Sequence, residues 1–325
     1  MIFSKIKPKI SIIIPTIGRK TLPNTLKSIL NQTYQNLQII VTDDTEEGIA
    51  KKIIEKFLKK DKRIKYVINR RYKHGPTGNK NNGLDFASGD YIVYCDDDDI
   101  LLQQALEILL SVALNKKYDI VLANCTDNKN IKFTGKNYGK NEEVSYKDII
   151  CEKYEGEYTL MIKRNLIGRD KFFTKTWGGE HLLWWKLWKK TNKGFYINKS
   201  VRIYNIQTLD RVTFSYIKNI DRTLLNYLYT LENFEQDFIK YCPNAMIKWI
   251  LMAICITKIG NKRKKAWKIY KRYVLKHFSL KAKFFSLVLL LLPKIIVKKL
   301  FIWKNLRKKI KKIVLKKYIK YPKNF

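Results

Sequence analysis

Between residues 9 and 124 the apolar positions alternate between two rhythms. Short continuous runs rich in β-branched residues read as strands buried on both faces. Residues 9–15 (KISIIIP), 37–42 (LQIIVT), 64–69 (IKYVIN), 91–95 (YIVYC) and 119–124 (DIVLAN) are such runs. Between them the apolar residues recur at helical spacing. Leu22, Leu26, Ile29 and Leu30 share one side of a predicted helix over 21–31, and Ile53, Ile54 and Leu58 one side of a helix over 48–60. Shorter helical patterns cover 79–87 and 101–113. Strands alternating with helices predict a mostly parallel α/β sheet with helices on both faces. Ligands bind such sheets at the carboxyl ends of the strands.

Further along the pattern loosens. The stretch EYTLMIKRNLIG, residues 157–168, has strand character. TWGGEHLLWWKLWKK, residues 176–190, is helical, with Trp184 and Trp188 on one face. Tryptophans at that spacing belong to a core more often than to a sugar platform. GFYINKSVRIYNI, residues 194–206, reads as a hairpin closing a site. Beyond residue 221 the pattern is helical over 223–232, 245–259 and 264–278. From residue 295 onward Trp303, Leu306, Ile310 and Ile313 recur at helical spacing, with Lys304, Arg307, Lys308, Lys311 and Lys312 between them. Two regions follow from this: a catalytic-type α/β domain over 1–220 and a basic helical region over 221–325.

Polar residues stand at three of the predicted strand ends: Pro15-Thr16, Asp43-Asp44 and Asp96 to Asp99. Four successive carboxylates repel one another unless something positive lies between them. A hard divalent cation, Mg²⁺ or Mn²⁺, is the simplest partner, because it prefers oxygen ligands and shares a carboxylate with substrate phosphates. The plainer readings are a solvated acidic loop before the next helix, and an N-cap pair at Asp43-Asp44. PTIGRK after the first strand has one glycine where a dinucleotide fingerprint needs three, and no P-loop is present. Phosphates would therefore be held by metal and side chains.

Charge changes the picture mainly at the C-terminal end. The formal net charge is +38, but no Asp or Glu follows Asp237, and the last 88 residues carry 26 Lys and Arg. The first 237 residues hold 40 basic and 28 acidic groups. A tail of this kind calls for a polyanion, either nucleic acid or an anionic lipid surface. A basic amphipathic helix suits the lipid surface; the plain alternative is a helix packed on the preceding domain. No run reaches the ~18 apolar residues of a spanning helix. MIFSKIKPKI is too short and polar for a signal peptide. Five cysteines without a CxxC pair point to reduced thiols and a cytoplasmic setting.

Two stretches, ISIIIPTIGRKTLPNTLKSILNQTYQNLQIIVTDD and GPTGNKNNGLDFASGDYIVYCDDDDIL, resemble the two conserved blocks of family 2 glycosyltransferases of the GT-A fold. The resemblance is close over about 9–113 and looser to about 213. GPTGNKNNGLD, the Asp run and VRIYNI most resemble the branching glucosyltransferases of bacterial N-linked glycosylation loci. The resemblance implies an inverting, metal-dependent transferase that moves a hexose from a nucleotide sugar, a UDP-hexose by its kind, to a lipid-linked glycan. It implies that Pro15 and Thr16 contact the nucleoside and that Asp44 accepts from the base. A carboxylate suits that role because it only accepts. Lys80, where the family often has Arg, would face the diphosphate or sugar as a point charge in place of a fork. Asn81 and Gly83 match the family block, with Gly83 serving close packing. Asp96 would touch ribose or sugar, Asp97 would tune the donor side, and Asp98 would touch the metal. The family's base is the Asp of a Glu-Asp pair; here Glu180-His181 stands there, so either Glu180 or His181 takes the proton. A further metal-binding His of many relatives corresponds to the region of Gln207, where none occurs.

Two rival classes remain at this point. A nucleic-acid-binding protein fits the charge but brings no recognised motif. A non-catalytic scaffold would tolerate the Glu-His departure, but the acids at three strand ends count against it. The resulting expectation is a peripheral enzyme on the cytoplasmic face of the membrane, binding an anionic lipid surface and no nucleic acid.

Overall fold

The computed structural model describes residues 7–129, 132–136, 138–206 and 219–299. The chain divides into two units, 1–214 and 215–325.

The first unit is built on one sheet. In chain order its elements are β1 (Ile10–Thr16), α1 (Leu22–Leu30), β2 (Leu37–Asp43), α2 (Ala50–Lys60), β3 (Ile64–Ile68), α3 (Pro76–Asp85), β4 (Tyr91–Tyr94), β5 (Ile100–Leu101), α4 (Ala105–Asn115), β6 (Ile120–Asp127), β7 (Glu142–Ser145), α5 (Tyr146–Ile150), β8 (Tyr158–Lys163), α6 (Arg164–Ile167), α7 (Glu180–Thr191) and β9 (Lys193–Tyr204). The strand order is β3-β2-β1-β4-β8-β6-β9-β5, with β7 also on β9. The predicted parallel arrangement holds across β3, β2, β1 and β4. Beyond β4 the sheet is mixed, because β8 runs antiparallel to both β4 and β6 while β6 and β9 are parallel.

The β-branched runs are buried as their composition demands. Ile10, Ile12, Ile13 and Ile14 of β1 and Ile39, Ile40 and Val41 of β2 have no exposed surface. Leu22, Leu26 and Ile29 of α1 and Leu106 and Leu109 of α4 close over one face. Pro15 sits inside β1 without breaking it. The β1–β4 pairing ends at Ile13 opposite Tyr94, so the missing proline N–H falls beyond the end of β4. Gly83 serves close packing as expected: a Cβ there would lie 2.4 Å from Ile13 Cγ2.

Residues 194–206 do not form the expected hairpin. Residues 194–204 belong to β9, a single strand of 12 residues. Its register against β6 moves from Ala123↔Ile197 to Asn124↔Ser200, so the extra residues are taken up as an irregularity within the strand. None of residues 194–204 has a positive φ, and a tight reversal in their place would require one.

The second unit is helical over its described residues. α8 (Ile220–Tyr241) packs on α9 (Pro243–Ile259), whose first residue is a proline, the helical position that needs no N–H. α10 (Arg263–Ile269) passes through a π-helical turn at Tyr270–Val274 into α11 (Leu275–His277), followed by α12 (Leu280–Leu291). Residues 294–299 are helical again. Among the described residues no helix is long and apolar enough to cross a membrane. The amphipathic pattern from Trp303 to Ile313 lies outside the described residues.

Candidate active site

The carboxyl ends of β1, β2 and β4 come together because these strands are parallel neighbours, with Thr16 directly opposite Asp43. α3 is tied to those ends by buried amides. Asn79 donates to the carbonyls of Thr16 at 3.1 Å and Thr42 at 2.8 Å, and accepts from the Thr42 hydroxyl at 2.7 Å. Asn82 donates to the Thr42 hydroxyl at 2.9 Å. This network explains two of the asparagines of GPTGNKNNG: Asn79 and Asn82 satisfy backbone or hydroxyl groups at the ends of β1 and β2.

The two adjacent acids after β2 have separate duties. Asp43 is fully buried and accepts from the N–H groups of Thr45 at 3.0 Å and Ala50 at 2.8 Å. It thus holds the first N–H of α2 from outside the helix, the N-cap position itself being Ile49, so the expected N-cap pair is not formed. Asp44 points elsewhere. Its Oδ1 accepts from Asn69 and its Oδ2 from the Gly75 N–H, both at 2.7 Å. Gly75 has φ +130, a conformation that favours glycine and aims its N–H at Asp44. Burial pushes the Asp44 carboxyl above its ordinary range, against the pull of these two donors.

The Asp tetrad forms a turn, closed by the Asp99 N–H donating to the Asp96 carbonyl at 3.1 Å, and its side chains divide between inside and outside. Asp97 and Asp99 are fully buried, whereas Asp96 and Asp98 are partly exposed. Asp97 accepts from the Thr16 hydroxyl at 2.5 Å and pairs with Arg19. Its carboxyl lies above the ordinary range because desolvation outweighs Arg19. Asp99 pairs with Arg202 of β9 at 3.2 Å and accepts from the Asn205 N–H at 3.0 Å. Arg202 reaches Cys125 Sγ at 3.2 Å and the Tyr158 carbonyl at 3.3 Å. The inward acids are therefore neutralised within the protein, and of the partly exposed pair Asp96 lies beside Lys80. Arg19 and Arg202 escaped the reading of the sequence. A signal existed for Arg202: an arginine in the apolar run VRIY needs a buried partner.

Lys80 of α3 lies 3.1 Å from Glu180 and 3.8 Å from Asp96, with its side chain 13% exposed. Burial pulls its ammonium down, but Glu180 and Asp96 prevail, and the group stays charged. Three expected site residues thus meet around one cation. Glu157, one residue before β8, lies within electrostatic reach of Asp96, Glu180 and Lys80 and was likewise missed. Asn81 is placed differently. Its amide donates to the Phe172 carbonyl at 2.9 Å and accepts from the Phe172 N–H at 2.8 Å, so it fixes the segment before α7. Thr16 is also engaged internally, its hydroxyl accepting from Gly18 N–H at 2.9 Å and its carbonyl from Asp44 N–H at 2.9 Å.

α7 begins at Glu180 because Gly178 and Gly179, with φ +69 and +89, turn the chain into it. His181 packs edge-on to Trp185, ring centroids 4.7 Å apart. Burial lowers its pKa to about 4, so the ring is neutral near pH 7. Trp185 and Trp188 are buried, and Trp184 packs on Tyr94 and Phe172. These tryptophans belong to the core, as their spacing predicts. Gln207 lies outside the described residues.

The donor set at the cleft is oxygen only, which fits a hard cation such as Mg²⁺ or Mn²⁺. Among the described residues no group of three His, Cys, Asp or Glu forms a complete cage. A cation that keeps waters and shares substrate phosphate needs no such cage.

Comparison with known proteins bears on the fold and the family. The chain is 38% identical over 298 residues to a Campylobacter jejuni protein named GalNAc(5)-diNAcBac-PP-undecaprenol beta-1,3-glucosyltransferase, covering 88% of this chain and 93% of the relative. It is 29% identical over 164 residues to the Escherichia coli UDP-Glc:alpha-D-GlcNAc-diphosphoundecaprenol beta-1,3-glucosyltransferase WfgD, covering 50% of this chain and 63% of that one. Among solved structures, S. aureus TarS 1-349 in complex with UDP-GlcNAc superposes with a TM-score of 0.60 at 17% identity, covering 76% of this chain and 81% of TarS. A mannosyltransferase from Pyrobaculum calidifontis in complex with GDP-Man and Mn2+ gives 0.53 at 15% identity, covering 85% of this chain and 77% of that one. These two likenesses are of fold, and the fold is that of the GT-A glycosyltransferases. The family model for glycosyl transferase family 2 matches residues 11–176, the span that holds all three strand ends and the Asp tetrad, and the chain is therefore a member of that family.

Proposed function

We propose that this glycosyltransferase moves a hexose from a UDP-sugar to a lipid-linked glycan, with inversion at the anomeric carbon. The observation that carries the reading is the cluster of Lys80, Glu180 and Asp96 beside the carboxyl end of β4. In it a cation suited to a diphosphate lies within 3.1 Å of a carboxylate suited to take a proton. The named acceptors of the Campylobacter and Escherichia relatives are undecaprenol-linked, which supports the acceptor class.

In this reading Asp44 accepts from the uracil N–H with the acceptor capacity that Asn69 and Gly75 leave over. Pro15 and Thr16 shape the nucleoside side, with Asp97 and Arg19 holding Thr16 in place. Asp96 binds a sugar or ribose hydroxyl, and Lys80 meets the diphosphate. Asp98 would hold a divalent cation, which when bound neutralises charge on the departing diphosphate. Glu180 takes the proton of the acceptor hydroxyl as that oxygen attacks the anomeric carbon and the bond to the diphosphate breaks. Glu180 is preferred to His181 because it belongs to the Lys80 cluster, whereas His181 is packed against Trp185. An acceptor carried on lipid places the enzyme at the cytoplasmic membrane surface. The undecaprenol-linked substrate named for the Campylobacter relative supports this location.

The test is direct. The protein is incubated with a panel of nucleotide sugars and an undecaprenyl-diphosphate oligosaccharide, with Mg²⁺ or Mn²⁺, and products are read by mass spectrometry. A mass gain of one hexose from a UDP-hexose is expected. Release of free sugar without transfer to any lipid-linked glycan would overturn the acceptor assignment.

A further inference from the structure

The second unit carries an apolar ridge that the described residues leave uncovered. α12 is held by one face only. Ser286 and Leu290 are buried, and the Leu290 carbonyl accepts from the buried Lys258 ammonium at 2.6 Å. The Lys283 carbonyl accepts from the Tyr270 hydroxyl at 3.3 Å. The other face presents Leu280, Phe284, Phe285 and Leu291 at 84, 64, 61 and 67% exposure. Val288 extends the same stripe, and Ile295, in the helical stretch after Pro293, is exposed as well. Positions 280, 284, 288 and 291 follow helical spacing along α12 and run for roughly 16 Å at 1.5 Å per residue. Water-facing helices bury such a stripe, and an exposed one marks an interaction surface.

Charge identifies the occupant. Lys294, Lys298 and Lys299, which follow α12 directly in the chain, are exposed, and residues 261–325 contain 23 Lys and Arg and no acid. A second copy of the chain would set like charges against one another. A nucleic acid would engage the lysines and leave the leucines and phenylalanines in water. A bilayer with anionic headgroups meets both at once, apolar side chains below the headgroups and lysines among them. We propose that α12 lies in the plane of an anionic membrane with this ridge inserted at the boundary between headgroups and acyl chains. The inference deepens the reading of a lipid-linked acceptor and takes its purpose from it, but its test does not need turnover.

The full chain is sedimented with phosphatidylglycerol/phosphatidylcholine vesicles and with pure phosphatidylcholine vesicles, at low salt and at about 0.5 M salt, where charges are screened within a few ångströms. Wild type should bind the anionic vesicles and keep a salt-resistant fraction. Substituting Phe284→Ser, Phe285→Ser and Leu291→Ser together should cut that fraction by about tenfold or more while sparing the low-salt part. Transfer to a detergent-dispersed acceptor should be unchanged. Equal high-salt binding by the variant overturns the proposal, as does wild-type binding that salt abolishes completely. So does a wild-type dimer that the variant splits while vesicle binding stays the same. Hydrogen exchange on the wild type needs no variant: residues 280–291 should gain protection when anionic vesicles are added, and no gain overturns the proposal. A protein that docks without transferring sugar fails the functional reading alone, and one that transfers without docking fails this inference alone.

Discussion

Neighbouring residues in the Asp tetrad do opposite things, and mutation should separate them. Asp98→Asn is expected to lower metal-dependent transfer by at least about a hundredfold with an unchanged melting temperature, since Asp98 is partly exposed. Asp99→Asn should instead lower the melting temperature, because it leaves the Arg202 guanidinium buried without its anion. Thermal unfolding beside a transfer assay checks both. For the base, Glu180→Gln should cost ~10²–10⁴-fold in kcat and His181→Ala less than about tenfold. The reverse ranking would move the role to His181, with the rate falling as pH drops through about 4. His181 also links pH to stability. Its pKa is lowered from 6.5 to about 4, so between these values the unfolded chain takes up a proton that the folded chain refuses. Its contribution is fully present above about pH 6.5 and is lost as pH falls toward 4. His181→Gln should flatten that part of a melting-temperature profile relative to wild type.

At the scale of elements, Gly83 gives the sharpest test. Gly83→Ala would bring a methyl within 2.4 Å of Ile13 Cγ2 and 3.1 Å of Thr42 Cγ2. It should destabilise the protein by ~1–3 kcal/mol in chemical denaturation, a cost of overpacking that outweighs alanine's better helix propensity. The strands β1 to β4 were legible because a strand buried on both faces must be apolar throughout, and only a few residues fit such a run. β9 was misread because periodicity and Asn-Lys-Ser look alike in a turn and in an irregular strand. Only the partner strand β6 decides between them, and sequence does not display partners. The direction of β8 was hidden for the same reason. Asn81 shows the limit at the site. A buried amide beside a cleft can serve a ligand or a neighbouring backbone, and the Phe172 segment that claims it lies 91 positions away.

For the whole molecule the net charge of +38 sets solution behaviour more than chemistry. Nucleic acid bound at low salt should be shed by about 0.3 M salt, since such binding falls steeply with ionic strength. Transfer to a soluble acceptor should be unaffected by added RNA at physiological salt. Persistent inhibition there would return nucleic acid to the list of partners. The Arg202–Asp99 pair has a consequence for how the chain is made. During synthesis the four acids leave the ribosome about a hundred residues before the arginine that neutralises one of them. β9, which carries it, is also the strand that β5, β6 and β7 all need. A nascent chain stopped short of β9 therefore holds the mixed β3-β2-β1-β4-β8-β6 part of the sheet and an acidic cluster, with an open edge at β6. Chaperone capture is expected in that interval. Arrested chains of increasing length should remain protease-sensitive between residues 120 and 163 until Arg202 has cleared the exit tunnel, and become resistant together after it.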